Sequence, residues 1–264
     1  MVALLGLALV LQARSMVPSS AGPVAVTAVR ATQPPVLDGR DNDEVWRGAT
    51  IISEFQQVRP LEAGPARFRT EAKVAYDPAN LYVFVRAFDP HPDSIIQLLS
   101  RRDDQTPSDQ VIVMIDSYHD RRNGYEFVVN PAGVKADYAI YNDGNEDNAW
   151  DAIWEVATQV DSLGWTAEYK IPFSQLRFAT GDRTTFGFAV WRNIQRYTEQ
   201  VSWPIIRQSK PGFVSQFGEL NGLDGLANPH RAEVTPYFVT KNVSQPDGND
   251  FGRQQDITMT HEGN

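Results

Sequence analysis

The residues best suited to chemistry are aromatic side chains that stand among polar ones. The segment WRNIQRYTEQVSW runs from Trp191 to Trp203 and includes Arg192, Asn193 and Glu199. An indole ring stacks on the C–H face of a pyranose, while amide, guanidinium and carboxylate groups hydrogen-bond to its hydroxyls. Alternation along a strand sends neighbouring side chains to opposite faces, so not every polar group joins one site. Core packing is the favoured interpretation for each tryptophan taken alone, and sugar binding is the functional hypothesis for the segment as a whole.

Another tryptophan pair, Trp150 and Trp154, stands four residues apart in NAWDAIWEV. A spacing of four brings side chains to one face of a helix and also to one face of a strand. The surrounding segments alternate as strands do, so we expect a strand over residues 150–160 with both rings on its buried face. Trp154 is then a core residue. Trp150 follows the polar loop YNDGNEDN, which favours a position at the rim, where its ring can meet a sugar.

The same loop carries oxygen ligands at alternating positions, namely Asp143, Asn145 and Asp147. This spacing resembles the first half of a calcium loop, in which hard oxygen ligands surround a hard cation. The second half departs from the pattern, because Asn148 stands where glycine is required and Trp154 where a carboxylate is required. The loop therefore favours a solvated acidic turn, with an irregular calcium site at Asp143, Asn145 and Asp147 as the alternative.

Composition and missing motifs exclude several classes of function. The formal charge of −9 and the lack of basic runs argue against nucleic-acid binding. There is no cysteine, and the four histidines are scattered, so a zinc cluster is not expected. The nucleophile elbow, the phosphate loop, the dinucleotide fingerprint and the H-E-x-x-H pair are all absent. A glycosidase needs two facing carboxylates, and no pair stands out among the 33 acidic residues.

Short alternating segments separated by Gly, Pro, Asn and Asp clusters indicate a β-protein. TEAKVAYD and LYVFVRAFD are predicted to pair antiparallel, and QVIVMID is predicted to lie at the centre of a sheet that is covered on both sides. The turn NPAG is predicted to join GYEFVVN and GVKADYAIY into a hairpin. TAEYKI, FGFAVW and EQVSW are expected to be further strands. In DGRDNDEVWRGA, Asp41 or Asn42 is expected to cap a short helix that turns Trp46 inward.

About ten strands without intervening helices predict an all-β fold of two packed antiparallel sheets, a sandwich with jelly-roll or immunoglobulin-like topology, over residues 24–226.

The apolar run from Val2 to Leu11 is too short to span a membrane but fits the core of a signal peptide, so residues 1–22 are interpreted as an export signal. The alternative is a buried first element.

Five segments together resemble the family 9 carbohydrate-binding module found at the N-terminus of bacterial outer-membrane proteins. They are LDGRDNDEVWRGA, VAYDPANLYVFVRAFDP, SDQVIVMIDSYHDRRNGYEFVVNPAG, WDAIWEVATQVDSLGWTAEYKIPFSQLRF and FGFAVWRNIQRYTEQVSWP. The resemblance covers about residues 30–225. It implies a DOMON-like sandwich that binds glycans, a structural calcium ion as in some relatives, and a C-terminal membrane β-barrel. Residues 227–264 then begin a truncated barrel region or form a flexible tail, and the protein is exported to the periplasm or outer membrane of a Gram-negative bacterium.

Three functions follow from this reading. The leading hypothesis is non-catalytic binding of an oligo- or polysaccharide that supports polysaccharide catabolism. The runner-up is an interaction or gating domain of an outer-membrane barrel that binds no sugar. The third is a hydrolase of O-glycosyl bonds. Solvent exposure of Trp150, Trp191 and Trp203 separates the first two.

Overall fold

The structure, a computed structural model, describes residues 24–104, 106–178 and 184–226, together with the backbone of residues 241–243 and 258–260. The strands in chain order are β1 (Ala25–Thr27), β2 (Val29–Arg30), β3 (Gln56–Arg59), β4 (Thr70–Tyr76), β5 (Asn80–Phe88), β6 (Gln110–Asp116), β7 (Gly124–Val129), β8 (Lys135–Tyr141), β9 (Asn145–Asp147), β10 (Glu155–Asp161), β11 (Gly164–Pro172), β12 (Thr184–Ile194), β13 (Glu199–Trp203) and β14 (Gly218–Leu223). One α-helix, α1, spans Glu44–Gly48, and 3-10 turns span Pro92–Ser94, Phe173–Gln175, Gln195–Tyr197 and Val214–Gln216.

These strands form two sheets. The large sheet has the order β1-β14-β12-β6-β7-β8-β9, and β13 joins it by pairing with β12 and β3. The small sheet has the order β10-β11-β5-β4-β2. Apolar side chains from both sheets meet between them, and the aromatic ones among the most buried are Trp154, Trp165, Tyr169, Phe127, Phe173, Phe186 and Phe188. The predicted all-β sandwich is thus confirmed.

Strand β12 organises the large sheet because it is eleven residues long and uses three partners. Its first half pairs with β14, its second half pairs with β13, and β6 runs along its other edge. QVIVMID forms β6, which lies between β12 and β7. Val113 on one face and Met114 on the other are both buried, so the prediction of a strand covered on both sides is correct.

Other local predictions are also confirmed. Strands β4 and β5 pair antiparallel, and β7 and β8 form the predicted hairpin. In the NPAG turn, Gly133 has a φ of 80°, a conformation that favours glycine. Helix α1 buries Trp46, whose indole N–H donates to Glu168 at 3.1 Å. The helix is preceded by Asp43 rather than by Asp41 or Asn42, and Asp43 makes no side-chain cap hydrogen bond.

The strand predicted over residues 150–160 begins later, at Glu155. Trp154 is buried as expected, with its ring stacked on Tyr169 at 5.7 Å and its N–H donated to Asp137. Beyond it, β10 is an edge strand that pairs only with β11, so Val160 is 40% exposed instead of buried. An alternating pattern reports the strand conformation but not its position at the edge of a sheet.

Two of the predicted regions lie at the ends of the chain. The proposed signal peptide, residues 1–22, and most of residues 227–264 lie outside the described residues. Two compact units span residues 1–229 and 230–264, and in the second, β15 (Lys241–Val243) pairs antiparallel with β16 (Thr258–Thr260). Among the described residues, no helix is long and apolar enough to cross a membrane.

Arg192 crosses the interior and ties the sheets together. It projects from β12 and is completely buried, and it donates to the carbonyls of Arg69 and Phe88 and to the hydroxyl of Thr70 at 2.9–3.1 Å. Burial lowers its pKa to about 10, partly offset by the charges of Asp109 and Asp89. The side chain therefore stays ionised at neutral pH and supplies donors to the other sheet.

Replacing Arg192 with methionine keeps most of its length but removes these donors. Leaving a buried hydrogen-bond acceptor without its donor costs about 1–3 kcal/mol, and the carbonyl of Phe88 and the hydroxyl of Thr70 both lose the Arg192 donor in this variant. We expect R192M to lower the free energy of unfolding by that amount in urea titrations. R47M on the exposed helix surface is the control, with an expected change within about 0.5 kcal/mol. Equal stability of R192M and the wild type would contradict this role.

Candidate ligand-binding face of the large sheet

The face of the large sheet that points away from the small sheet carries a row of polar and aromatic side chains. Trp191 on β12 lies opposite Ile112 of β6 and Ser202 of β13, and Asn193 lies opposite Gln110 and Gln200. Directly paired residues in an antiparallel sheet share a face. We call Gln110, Ile112, Trp191, Asn193 and Gln200 the outer-face site. All five side chains are half-buried, so part of each is accessible to a ligand.

Hydrogen bonds fix the side chains of this site. The indole N–H of Trp191 donates to Asn193 Oδ1 at 2.7 Å, and Asn193 Nδ2 donates to Gln110 Oε1 at 2.9 Å. The amide nitrogen of Gln110 then remains a donor without a partner among the described residues. A ring held in place beside oriented amides is suited to a flat, hydroxyl-bearing ligand, because little rotamer entropy is lost on binding.

A loop covers the rest of this face. Ile206, Val214 and Phe217 from residues 204–217 pack on Met114, Ala189 and Ile140 of the sheet. Phe213 lies at the border of the covered region, and its ring centroid is 6.4 Å from that of Trp191. The loop therefore forms one wall of the outer-face site.

Asp143 anchors this loop. Its carboxylate accepts hydrogen bonds from the backbone N–H groups of Phe213 and Ser215 and from the Ser215 hydroxyl, at 2.8–2.9 Å. Burial alone would raise the pKa of Asp143, but the hydrogen bonds from Ser215 and Phe213 outweigh it and hold the pKa below its ordinary value. Asp143 is thus ionised, and both of its carboxylate oxygens accept hydrogen bonds from the loop.

The residues proposed for calcium are a poor fit to a metal cage. Both oxygens of Asp143 accept hydrogen bonds from the loop, while Asn145 and Asp147 lie exposed on the edge strand β9. Asp147 accepts a hydrogen bond from the backbone N–H of Ala149. In the described part of the chain, no group of three or more His, Cys, Asp or Glu side chains could hold a metal ion. Calcium binding stays a prediction.

Glu126 is the buried acid of the same face. It lies on β7 opposite Met114 and Tyr138 and is 6% exposed. Burial, together with the charge of Glu146, raises its pKa to about 8. Glu126 is therefore protonated at neutral pH, and its carboxyl group can both donate and accept a hydrogen bond.

Three of the proposed sugar-binding residues lie inside the sandwich. Arg192 forms the inter-sheet contact described above, Glu199 is 1% exposed and accepts from the Arg67 backbone and guanidinium, and Trp203 packs on Phe188. Their strand positions point inward, so we remove them from the sugar-binding set. Trp150 is half-buried on the opposite side of the large sheet, where its ring lies 4.7 Å from that of Tyr125. The structure thus brings together only Trp191 and Asn193 of that set.

Sequence reasoning missed Gln110, Ile112, Gln200, Phe213 and Glu126. Gln110 is the polar residue that opens the apolar run of β6, which was the available signal. Nothing in the sequence marks Phe213 as a site residue, because its position depends on the hydrogen bond from its backbone N–H to Asp143 in a distant loop.

The fold and the site define a class of β-sandwich binding module, and comparisons with known proteins give the family. Residues 37–216 match the family model described as "Carbohydrate family 9 binding domain-like", so the chain belongs to that family. No curated protein matches the chain significantly.

Solved structures agree with the fold. A family 9 carbohydrate-binding module from Caldicellulosiruptor kristjanssonii in complex with cellotriose is 19% identical, with a TM-score of 0.52 over 81% of this chain and 99% of that chain. The module from the same organism in complex with glucose is 19% identical, with a TM-score of 0.52 over 80% and 100%. A candidate carbohydrate-binding protein from Bacteroides uniformis is 16% identical, with a TM-score of 0.58 over 76% and 99%.

The raised pKa of Glu126 makes stability depend on pH. The acid is protonated in both states below pH 4.5, but between pH 4.5 and about 8 only the unfolded chain ionises, so stability falls as pH rises. The loss is at most about 1.4 kcal/mol per pH unit. Because glutamine cannot ionise, we expect the free energy of unfolding of E126Q, measured in urea, to rise relative to that of the wild type as the pH is raised from 5 to 8. A stability difference that does not change with pH would refute this assignment.

Asp143 also tests the calcium prediction. If it is a loop anchor, D143A loses hydrogen bonds worth about 1–2 kcal/mol of stability, whereas D147A on the exposed strand changes stability little. Adding calcium or a chelator then leaves the melting temperature of the wild type unchanged in calorimetry. A calcium-dependent rise in melting temperature that D143A and D147A both abolish would instead support the metal site.

Proposed function

We propose that the protein binds carbohydrate without catalysis, through the outer-face site. The observation that carries the proposal is the partly exposed Trp191 ring held beside Asn193 and Gln110 on a family 9 binding-domain fold. A sugar ring lies against the indole, and its hydroxyls hydrogen-bond to the Gln110 and Gln200 amides.

Binding without hydrolysis is supported by the lack of catalytic motifs in the sequence and by the family. The ligands of the solved modules, cellotriose and glucose, make β-linked glucose oligosaccharides the first sugars to try. The roles in polysaccharide catabolism, the periplasmic or outer-membrane location and the C-terminal barrel are part of this proposal, and they rest on the sequence resemblance alone.

One observation favours the alternative of an interaction domain that binds no sugar. Trp46, Trp154, Trp165 and Trp203 are buried, and Trp191 is in contact with the wall of the 204–217 loop. In that case the exposed part of the outer-face site receives a protein segment rather than a sugar ring. Binding experiments with free oligosaccharides separate the two functions.

The direct test is a glycan array followed by isothermal titration calorimetry with cellotriose. We expect W191A to weaken binding about tenfold or more, because the stacking surface is lost, and W191F to lose less. Y141A, which removes an exposed aromatic ring outside the outer-face site, is the control and should bind as the wild type does. If folded wild-type protein binds no oligosaccharide on the array, or W191A binds as well as Y141A, the proposal is wrong.

A further inference from the structure

A second cavity opens at one end of the sandwich, beside the turn between β6 and β7. Its volume is about 410 Å³, and its lining includes Tyr118, Asp120, Asn123, Tyr125 and Arg177. Tyr125 is the neighbour of Glu126 on β7, so it points to the face opposite the outer-face site. The two sites share no residue. This volume falls within the range of small-molecule sites, about 300–1,000 Å³.

Two phenol rings form walls of this cavity. Tyr118 is 52% exposed. Tyr125 is braced from behind by Trp150, whose ring is 4.7 Å away and tilted by 35°, and Trp150 in turn contacts Phe127 edge-on at 5.9 Å. One ring is thus freely accessible and the other is held by the core. Rigid aromatic walls suit the C–H faces of a sugar ring.

Arg177 supplies the charge of the cavity. Its backbone is fixed by the hydrogen bond from the Ser117 hydroxyl to its carbonyl at 2.6 Å, while its exposed guanidinium makes no ion pair or hydrogen bond within the described part of the chain. Burial raises the pKa of Tyr125, and a hydrogen bond from the Arg177 backbone N–H and the positive charge of Arg177 oppose this rise. Arg177 and Tyr125 both line this cavity.

Asp120, the acidic residue of the cavity lining, already accepts hydrogen bonds from its own turn. Asp120 accepts hydrogen bonds from the backbone N–H groups of Arg122 and Asn123 and from the Asn123 side chain, at 2.7–2.8 Å. Burial opposes its ionisation, but the Asn123 hydrogen bonds outweigh it and lower its pKa. Asp120 thus holds its own turn in shape, whereas the donors of Arg177 remain available. An anionic ligand group is the complement of such an arginine, since a guanidinium pairs with a carboxylate through two parallel hydrogen bonds.

We propose that this cavity binds a sugar that carries a carboxylate, a hexuronic acid, with its carboxylate on Arg177 and its ring between Tyr118 and Tyr125. Neutral sugars lack the partner for Arg177, and simple carboxylates lack the ring that fills the aromatic walls. The cavity is a binding site separate from the one proposed for neutral glycans.

Isothermal titration calorimetry with glucuronate, glucose and acetate tests the proposal on the full chain carrying W191A, which removes the stacking surface of the outer-face site and so keeps neutral-sugar binding there out of the comparison. We expect glucuronate to bind more tightly than glucose or acetate, and R177Q to weaken glucuronate binding about tenfold or more. R122Q removes the same charge from an exposed residue of the β6–β7 turn that does not line the cavity, and should change binding less than about twofold. Y118A should weaken binding as well, because it removes the exposed wall.

Thermal unfolding of each variant first verifies the fold, which we expect to persist since Arg177, Arg122 and Tyr118 are exposed. The proposal is overturned if, in the W191A background, glucose or acetate binds as tightly as glucuronate, if R177Q and R122Q have equal effects, or if glucuronate does not bind. W191A should leave glucuronate binding unchanged, so a failure of the outer-face site and a failure of this cavity give different results.

Discussion

The contacts of Arg192 with the small sheet fix which residues of β12 point into the sandwich. With Arg192 donating to Arg69, Thr70 and Phe88, its neighbours Trp191 and Asn193 must point outward. A shift by one residue would bury the indole and the amide and expose a guanidinium whose acceptors lie in the other sheet. The outer-face site therefore depends on a charge that never meets the ligand.

A second constraint is that the large sheet is covered on both faces. The small sheet covers one face, and the 204–217 loop covers part of the other, where Ile206, Val214 and Phe217 pack on the sheet. Trp191 lies where the covered part meets the open part, beside Phe213. Asp143 holds the loop in this position by accepting hydrogen bonds from Phe213 and Ser215. It thereby determines which part of the outer face the loop covers, although it does not belong to the outer-face site.

Much of the fold could be predicted from the sequence, because alternation in single strands is a local property. The assignment of β4, β5 and β6 as strands, the burial of β6 on both faces and the inward position of Trp46 were predicted correctly for this reason. The residues of the outer-face site were harder to predict. The pattern of WRNIQRYTEQVSW predicts one extended segment. In the structure, a 3-10 turn at Gln195–Tyr197 and the left-handed residue Thr198 separate β12 from β13, so that Ile194 pairs with Glu199 across a hairpin. Glu199 and Trp203 therefore face inward, which no count along the segment reveals.

Whether a sugar contacts Trp191 and its amide neighbours is measured most directly by NMR titration of the wild type with cellotriose, since the indole N–H of each tryptophan and the side-chain amides of Asn193 and Gln110 give separate signals. We expect the Trp191, Asn193 and Gln110 signals to shift on saturation while those of Trp46, Trp154, Trp165 and Trp203 do not. Unchanged Trp191 and amide signals at saturating sugar would contradict the proposed contact.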